Sequence, residues 1–179
     1  MKADLRYTVF DTTIGACGIA WGVDAPSTVA AFQSPEATAE ATEARMLGWL
    51  KAVRSDPPEP IVDVIDRVRR HLGGDLDDFL DIDLDYAGVG DFERRVYEHS
   101  RTVLPGSTST YGDIAKALGQ PGAARAVGQA LGRNPLALIV PCHRVLAAGQ
   151  QPGGFSAPGG RSTKARLLNI ERAILTLDL

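Results

Sequence analysis

Cysteine is almost missing from this 179-residue chain, which has two, Cys17 and Cys142, far apart in sequence. So sparse a pair excludes a disulfide-stapled secreted scaffold, and each thiol needs its own explanation. Long apolar runs are missing too. No stretch reaches the ~18 residues that a membrane-crossing helix needs. The first residues, Met1-Lys2-Ala3-Asp4-Leu5-Arg6, have no apolar core of the kind a secretion signal requires. The expectation is a cytoplasmic protein, nucleoid-associated if bacterial, with no membrane partner. Aromatics are scarce at 6%, but 44% apolar and 23% charged residues make an ordinary globular composition, which sets aside disordered and fibrous classes.

The net charge of −3 argues by itself against a nucleic-acid partner, but it hides a division. Residues 1–89 carry 8 Lys and Arg against 16 Asp and Glu, a balance of −8, while residues 90–179 carry 11 against 6, a balance of +5. A phosphate backbone can dock on the second half, with the acidic half facing elsewhere. Chance asymmetry is the plainer alternative.

In the first half, residues 6–10 and 16–21 read as strands joined by a turn, and 28–32 as a third. Residues 35–54, rich in Ala and Glu, read as a helix stopped by Ser55-Asp56-Pro57-Pro58-Glu59-Pro60. A second helix over 61–72 repeats Ile61, Val64, Ile65, Val68 and Leu72 at helical spacing and ends at Gly73-Gly74. Leu80, Ile82, Leu84 and Tyr86 then alternate with Asp81, Asp83 and Asp85, the period of a strand with one wet face. A calcium loop would need a turn glycine and a closing Glu, and both are missing. Cys17 reads as a core strand residue, and with His71 it is too little for a four-ligand metal site.

The second half reads as mostly helical. A helix over 91–104 is broken by Pro105-Gly106-Ser107, and Thr110-Tyr111-Gly112-Asp113 has capping-box spacing, with Asp113 reaching back. The short helix it opens is joined by Gly119-Gln120-Pro121-Gly122 to another over 123–131, the pattern of a helix-turn-helix. One side of that second helix is apolar (Ala123, Ala126, Val127, Ala130, Leu131). The other carries Ala124, Arg125, Gly128, Gln129 and Gly132. Glycines inside a helix cost ~1 kcal/mol each relative to Ala, so something should compensate. A nearly bare face can enter a DNA groove, with Arg125 as the intruding side chain, or pack tightly on another helix. The helix alone does not decide between them.

Further on, Leu136-Ala137-Leu138-Ile139-Val140 is bracketed by Pro135 and Pro141 and reads as an extended, buried segment that delivers Cys142 and His143. A thiol must become a thiolate to attack, and a neighbouring His and Arg can lower its pKa. Neighbours on an extended chain point to opposite sides, however. By adjacency alone a lone Cys-His pair is more often structural than catalytic.

Pro141-Cys142-His143-Arg144-Val145 resembles the active-site signature of the O6-alkylguanine-DNA alkyltransferases, the methylated-DNA–protein-cysteine S-methyltransferases. Ala123-Ala124-Arg125-Ala126-Val127-Gly128 is similar to that family's recognition helix, Asn134-Pro135 to its hinge, Gly154-Phe155-Ser156 to its substrate loop, and residues 164–171 to its closing helix. The resemblance is strong over 91–171 and weaker before it. It implies a single-turnover, self-inactivating repair enzyme. The alkyl (methyl) group of O6-alkylguanine, or of O4-alkylthymine, passes from duplex DNA to Cys142, with no cofactor and no metal. His143 takes the thiol proton through a water and Glu171 orients His143. Tyr111 donates to a ring nitrogen of the base, and Asn134 ties the Cys142 segment to the helix-turn-helix. Ala124, Ala126 and Gly128 let the helix sit in the minor groove while Arg125 fills the space left by the flipped nucleotide. Phe155, Ser156 and Val145 line the substrate pocket.

Two departures stand out. Phe155 replaces the family's usual Tyr, and the loop 156–161 is longer than the common form. The expected architecture is an α/β domain over 1–89 with a small, largely antiparallel sheet, then a helical domain of winged-helix type over 90–179. A monomer without an obligatory protein partner is expected. The rival functions are a non-catalytic sensor of alkylated DNA, against which Cys142 argues, and a thiol hydrolase using Cys142 and His143, which has no use for the bare-faced helix.

Overall fold

The computed structural model describes residues 4–151, 153 and 159–173. The chain divides into two compact units, one of residues 1–87 with 135–137, the other of 88–134 with 138–179.

The first unit is built on a four-stranded sheet of order β3-β2-β1-β4. β1 (Leu5–Thr12) and β2 (Gly15–Gly22) form an antiparallel hairpin, and β3 (Val29–Gln33) pairs antiparallel with β2. The hairpin closes at Gly15, whose φ of +127° suits only glycine, and a Cβ there would come within 2.9 Å of Pro35 Cβ. α1 (Ala39–Trp49) starts where the Thr38 hydroxyl accepts from the Ala41 N–H at 3.1 Å. Tyr7, Ala20, Ala31 and Met46 pack together between sheet and helix.

One expectation fails here. The helix expected over 35–54 is shorter. Residues beyond Trp49 leave it, and β4 (Ala52–Arg54) joins β1 in parallel, so the sheet is mixed although mainly antiparallel. Helix propensity carries little energy against a free sheet edge that offers ladder hydrogen bonds.

α2 (Glu59–Leu72) has Pro60 in its first turn and buries all five of the periodic residues, Ile61, Val64, Ile65, Val68 and Leu72. The alternating stretch after it is not a strand. It is a looped segment that touches the sheet through one bridge, Val29 to Leu84. Its aspartates act locally instead of marking a wet face. Asp77, Asp78 and Asp85 each accept the backbone N–H two residues on, and Phe79 sits fully buried at φ 56°. Arg67 holds Asp77 (2.7 Å) and Asp81 (2.7 Å), clasping the loop to α2.

In the second unit α3 (Asp91–Arg101) ends three residues before the expected Leu104, with Thr102 as its C-cap. α4 (Tyr111–Ala117) is capped by Thr110, whose hydroxyl accepts from the Asp113 N–H at 3.0 Å. A tight turn leads to α5 (Ala124–Gly132). Tyr97 on α3 donates its hydroxyl to Ala130 O at 2.8 Å, tying α3 to α5. β5 (Ser109–Thr110) pairs in parallel with β6 (Val145–Leu146), and α6 (Arg161–Ile170) packs Leu168 on Leu146 and Ala173.

Candidate active site

The segment leading to Cys142 is buried as expected but not extended throughout. Leu138 takes a left-handed φ of 69°, so the chain turns at 138–139. This backbone is costly for a branched side chain by ~1–3 kcal/mol, and it persists because Leu136, Leu138, Ile139 and Val140 are all buried. Pro141 (φ −82°, ψ 65°) makes a further tight bend in which the Cys142 N–H donates to Val140 O at 2.8 Å. Cys142–Arg144 then form one 3-10 turn.

Cys142 is half-buried. Burial pushes its thiol pKa above the ordinary value. Opposing that are a hydrogen bond from the Asn134 side chain, the charge of Lys164, and the backbone amides of Cys142 and His143. Asn134 also donates Nδ2 to Val140 O at 2.9 Å, so one side chain braces the turn and contacts the sulfur. The cation acting on the thiol is Lys164, not the expected Arg144. Lys164 is 1% exposed, donates Nζ to Val145 O at 2.6 Å and lies 5.9 Å from the centre of the Tyr111 ring. Burial brings its pKa down to about 8, against the pull of Cys142. Tyr111 has its own pKa raised by burial and by the charge of Cys142. A Cβ on Gly153 would come within 2.8 Å of the Tyr111 hydroxyl, so glycine keeps that space open.

On the other side of the turn, His143 Nε2 lies 2.8 Å from Glu171 Oε1, and both side chains are fully buried. Arg144, 1% exposed, grips the same carboxylate through Nε to Oε2 (2.9 Å) and Nη2 to Oε1 (2.8 Å), while Nη1 donates to Val103 O at 2.7 Å. Its guanidinium is therefore committed to Glu171. Val145 is fully buried, and its carbonyl is the acceptor for Lys164.

Most of the remaining expected residues lie on α5 or outside the described residues. On α5, Arg125 is exposed and Ala124, Ala126 and Gly128 are half-buried. A Cβ on Gly128 would lie 3.9 Å from the Tyr111 ring, so this glycine already has an intramolecular neighbour. Phe155 and Ser156 fall outside the described residues. Cys17 is deeply buried, its thiol pushed up to about 12, and the His71 Nδ1 accepts from the Asp77 N–H at 3.0 Å.

Residues 91–173 match the family described as 6-O-methylguanine DNA methyltransferase, DNA binding domain. The methylated-DNA–protein-cysteine methyltransferase of Mycobacterium tuberculosis (strain ATCC 25618 / H37Rv) is 44% identical over 115 residues, 64% of this chain and 67% of that protein. Its namesake in Mycobacterium leprae (strain TN) is 40% identical over 132 residues, 73% of each. The chain belongs to the methylated-DNA–protein-cysteine methyltransferase family. The crystal structure of Mycobacterium tuberculosis OGT in complex with DNA superposes with a TM-score of 0.76 at 34% identity, over 94% of this chain and 93% of that one. The O6-methylguanine-DNA methyltransferase of the archaeon Pyrococcus kodakaraensis strain KOD1 gives 0.65 at 31% identity, over 93% and 98%.

Within this methyltransferase fold, sequence reasoning passed over Lys164 and misdirected Arg144. Lys164 did leave a signal. It precedes Leu167 and Leu168 by three and four residues, so it lies on the apolar face of α6, where a lysine is out of place.

Proposed function

We propose that this protein repairs alkylated DNA by moving an alkyl group from O6-alkylguanine in duplex DNA to Cys142, once per molecule. The observation that carries this reading is the half-buried Cys142 sulfur, held by Asn134 and two backbone amides beside buried Lys164, with His143 of the same turn 2.8 Å from Glu171. His143 takes the thiol proton. The thiolate attacks the alkyl carbon in line, the S–C bond forms as the C–O6 bond breaks, and the electron pair leaves on guanine. Tyr111 donates to a ring nitrogen of the departing base. The product is a thioether, which water does not cleave.

α4 and α5 serve as the helix-turn-helix of a winged-helix domain spanning 90–179, and residues 1–89 act as a scaffold. Arg125 occupies the stack after the nucleotide flips out, and half-buried Ala124, Ala126 and Gly128 permit close approach to a minor groove. Val145, Phe155 and Ser156 belong to the base pocket. The protein works as a monomer in the cytoplasm. Among the described residues no helix is long and apolar enough to cross a membrane.

Intact mass after incubation with excess oligonucleotide containing O6-methylguanine tests the reading. One methyl group should appear per protein, on the peptide holding Cys142 and not on that of Cys17, with none in Cys142→Ser. Product several-fold above protein, with Cys142 unmodified, overturns it in favour of a turnover hydrolase.

A further inference from the structure

Arg144 takes part in no step proposed above, yet it is among the most buried charges in the chain. Its Nε and Nη2 run in parallel to the two oxygens of Glu171, and Oε1 is shared with His143 Nε2. The third arm, Nη1 to Val103 O at 2.7 Å, anchors the guanidinium just beyond α3. A guanidinium so placed is always charged, and its fork matches a carboxylate.

We propose that Arg144 is a positioning residue of alkyl transfer: it keeps Glu171 ionised and fixed at His143 Nε2, so that His143 Nδ1 is left to take the proton of Cys142. This rests on the proposed role of Cys142. An ionised carboxylate only accepts hydrogen bonds, so against it Nε2 must donate and Nδ1 must carry the lone pair. Without the guanidinium, the buried His143–Glu171 pair holds one extra proton to higher pH. Whether that proton sits on the imidazole or on a carboxyl that donates to Nε2, the Nδ1 position is occupied and cannot accept. Arg144 thus sets the tautomer and keeps the pair free of the extra proton near neutral pH. Among the described residues, Arg144 bonds the carboxylate of the pair directly, Cys142 adjoins His143 in the same turn, and Lys164 of α6 and Tyr111 of α4 act on Cys142.

The test compares Arg144→Gln, Arg144→Lys and the parent protein in single-turnover reaction with a free O6-alkylguanine nucleoside across pH, read as alkyl mass on the Cys142 peptide. The Gln variant should be slower by about tenfold at pH 7, as follows when the midpoint of the pair moves to roughly one pH unit above that pH. It should approach the parent rate near pH 9. The Lys variant, which keeps a cation on Glu171, should hold the parent's pH midpoint. An equal deficit of the Gln variant at every pH, or a Lys variant displaced as far as Gln, overturns the proposal. If the Gln variant does not fold, nitrogen NMR of His143 in the unmodified parent decides: the Nε2–H tautomer supports the proposal and the Nδ1–H tautomer overturns it. Absence of alkyl mass on Cys142 in the parent protein instead defeats the reading of Cys142.

Discussion

At the scale of single residues, the site places a lysine where burial works against its charge. Lys164 gives up its proton near pH 8 in the native protein, whereas an ordinary lysine does so at 10.5. Between those values the unfolded chain binds more protons than the native one, so stability rises with pH across that window. Below it, the native state bears the full cost of the buried ammonium, ~3 kcal/mol. Lys164→Met removes that cost but strands Val145 O, a loss of ~1–3 kcal/mol, so stability near neutrality should change little. Denaturation across pH should show the variant gaining no stability between pH 8 and 10.5 relative to the parent. The same substitution removes the positive charge beside Cys142, so transfer should slow about tenfold or more at pH 7. An unchanged rate would show that Lys164 is structural only.

At the scale of elements, the clasp between α2 and the loop after it shows how aspartates can hold an irregular segment. The Arg67 hydrogen bonds keep Asp77 and Asp81 below the usual carboxylate range. Their contribution is present above the ordinary aspartate value and is lost as pH falls through the lowered one. Hydrogen exchange should therefore show amides 77–87 opening in acid before those of α2, and Arg67→Met should open them at neutral pH. Retained protection in that variant would assign the loop's order to Phe79 and Ile82 packing alone. On α5 the relevant side chain is exposed Arg125. Arg125→Ala should slow repair of duplex DNA at least tenfold while leaving reaction with the free alkylated base within about twofold. Equal losses on both substrates would remove Arg125 from the stack.

At the scale of the molecule, charge is partitioned: −8 over residues 1–89 and +5 over 90–179. Binding that depends on a few cations meeting phosphates releases counterions. A fourfold rise in salt should then weaken DNA affinity by roughly 30- to 150-fold, with little dependence on base sequence. Titration of duplexes at two salt concentrations measures this, and a flat response would point away from phosphate contacts. The division of the fold is less simple than the division of charge, because residues 135–137 belong with the first unit. There the Phe32 N–H donates to Pro135 O at 2.9 Å.

Features with a strong, short-range cause are legible without the fold: the β1–β2 hairpin, the five-residue stripe of α2, the Thr110 cap, and the signature around Cys142. Each depends on neighbours within a few positions, through periodicity, turn chemistry or a recognisable motif. Tertiary structure alone decided that residues 52–54 complete a sheet, that the alternating aspartates cap turns and grip Arg67, and that Leu138 bends its segment. It also decided the partners of the two buried cations. Arg144 finds Glu171 27 positions away, and Lys164 finds Val145 O 19 positions away. Adjacency made Arg144 the natural neighbour for the thiol. A buried guanidinium, however, goes where a carboxylate can match its fork, and only the folded chain brings that carboxylate within reach.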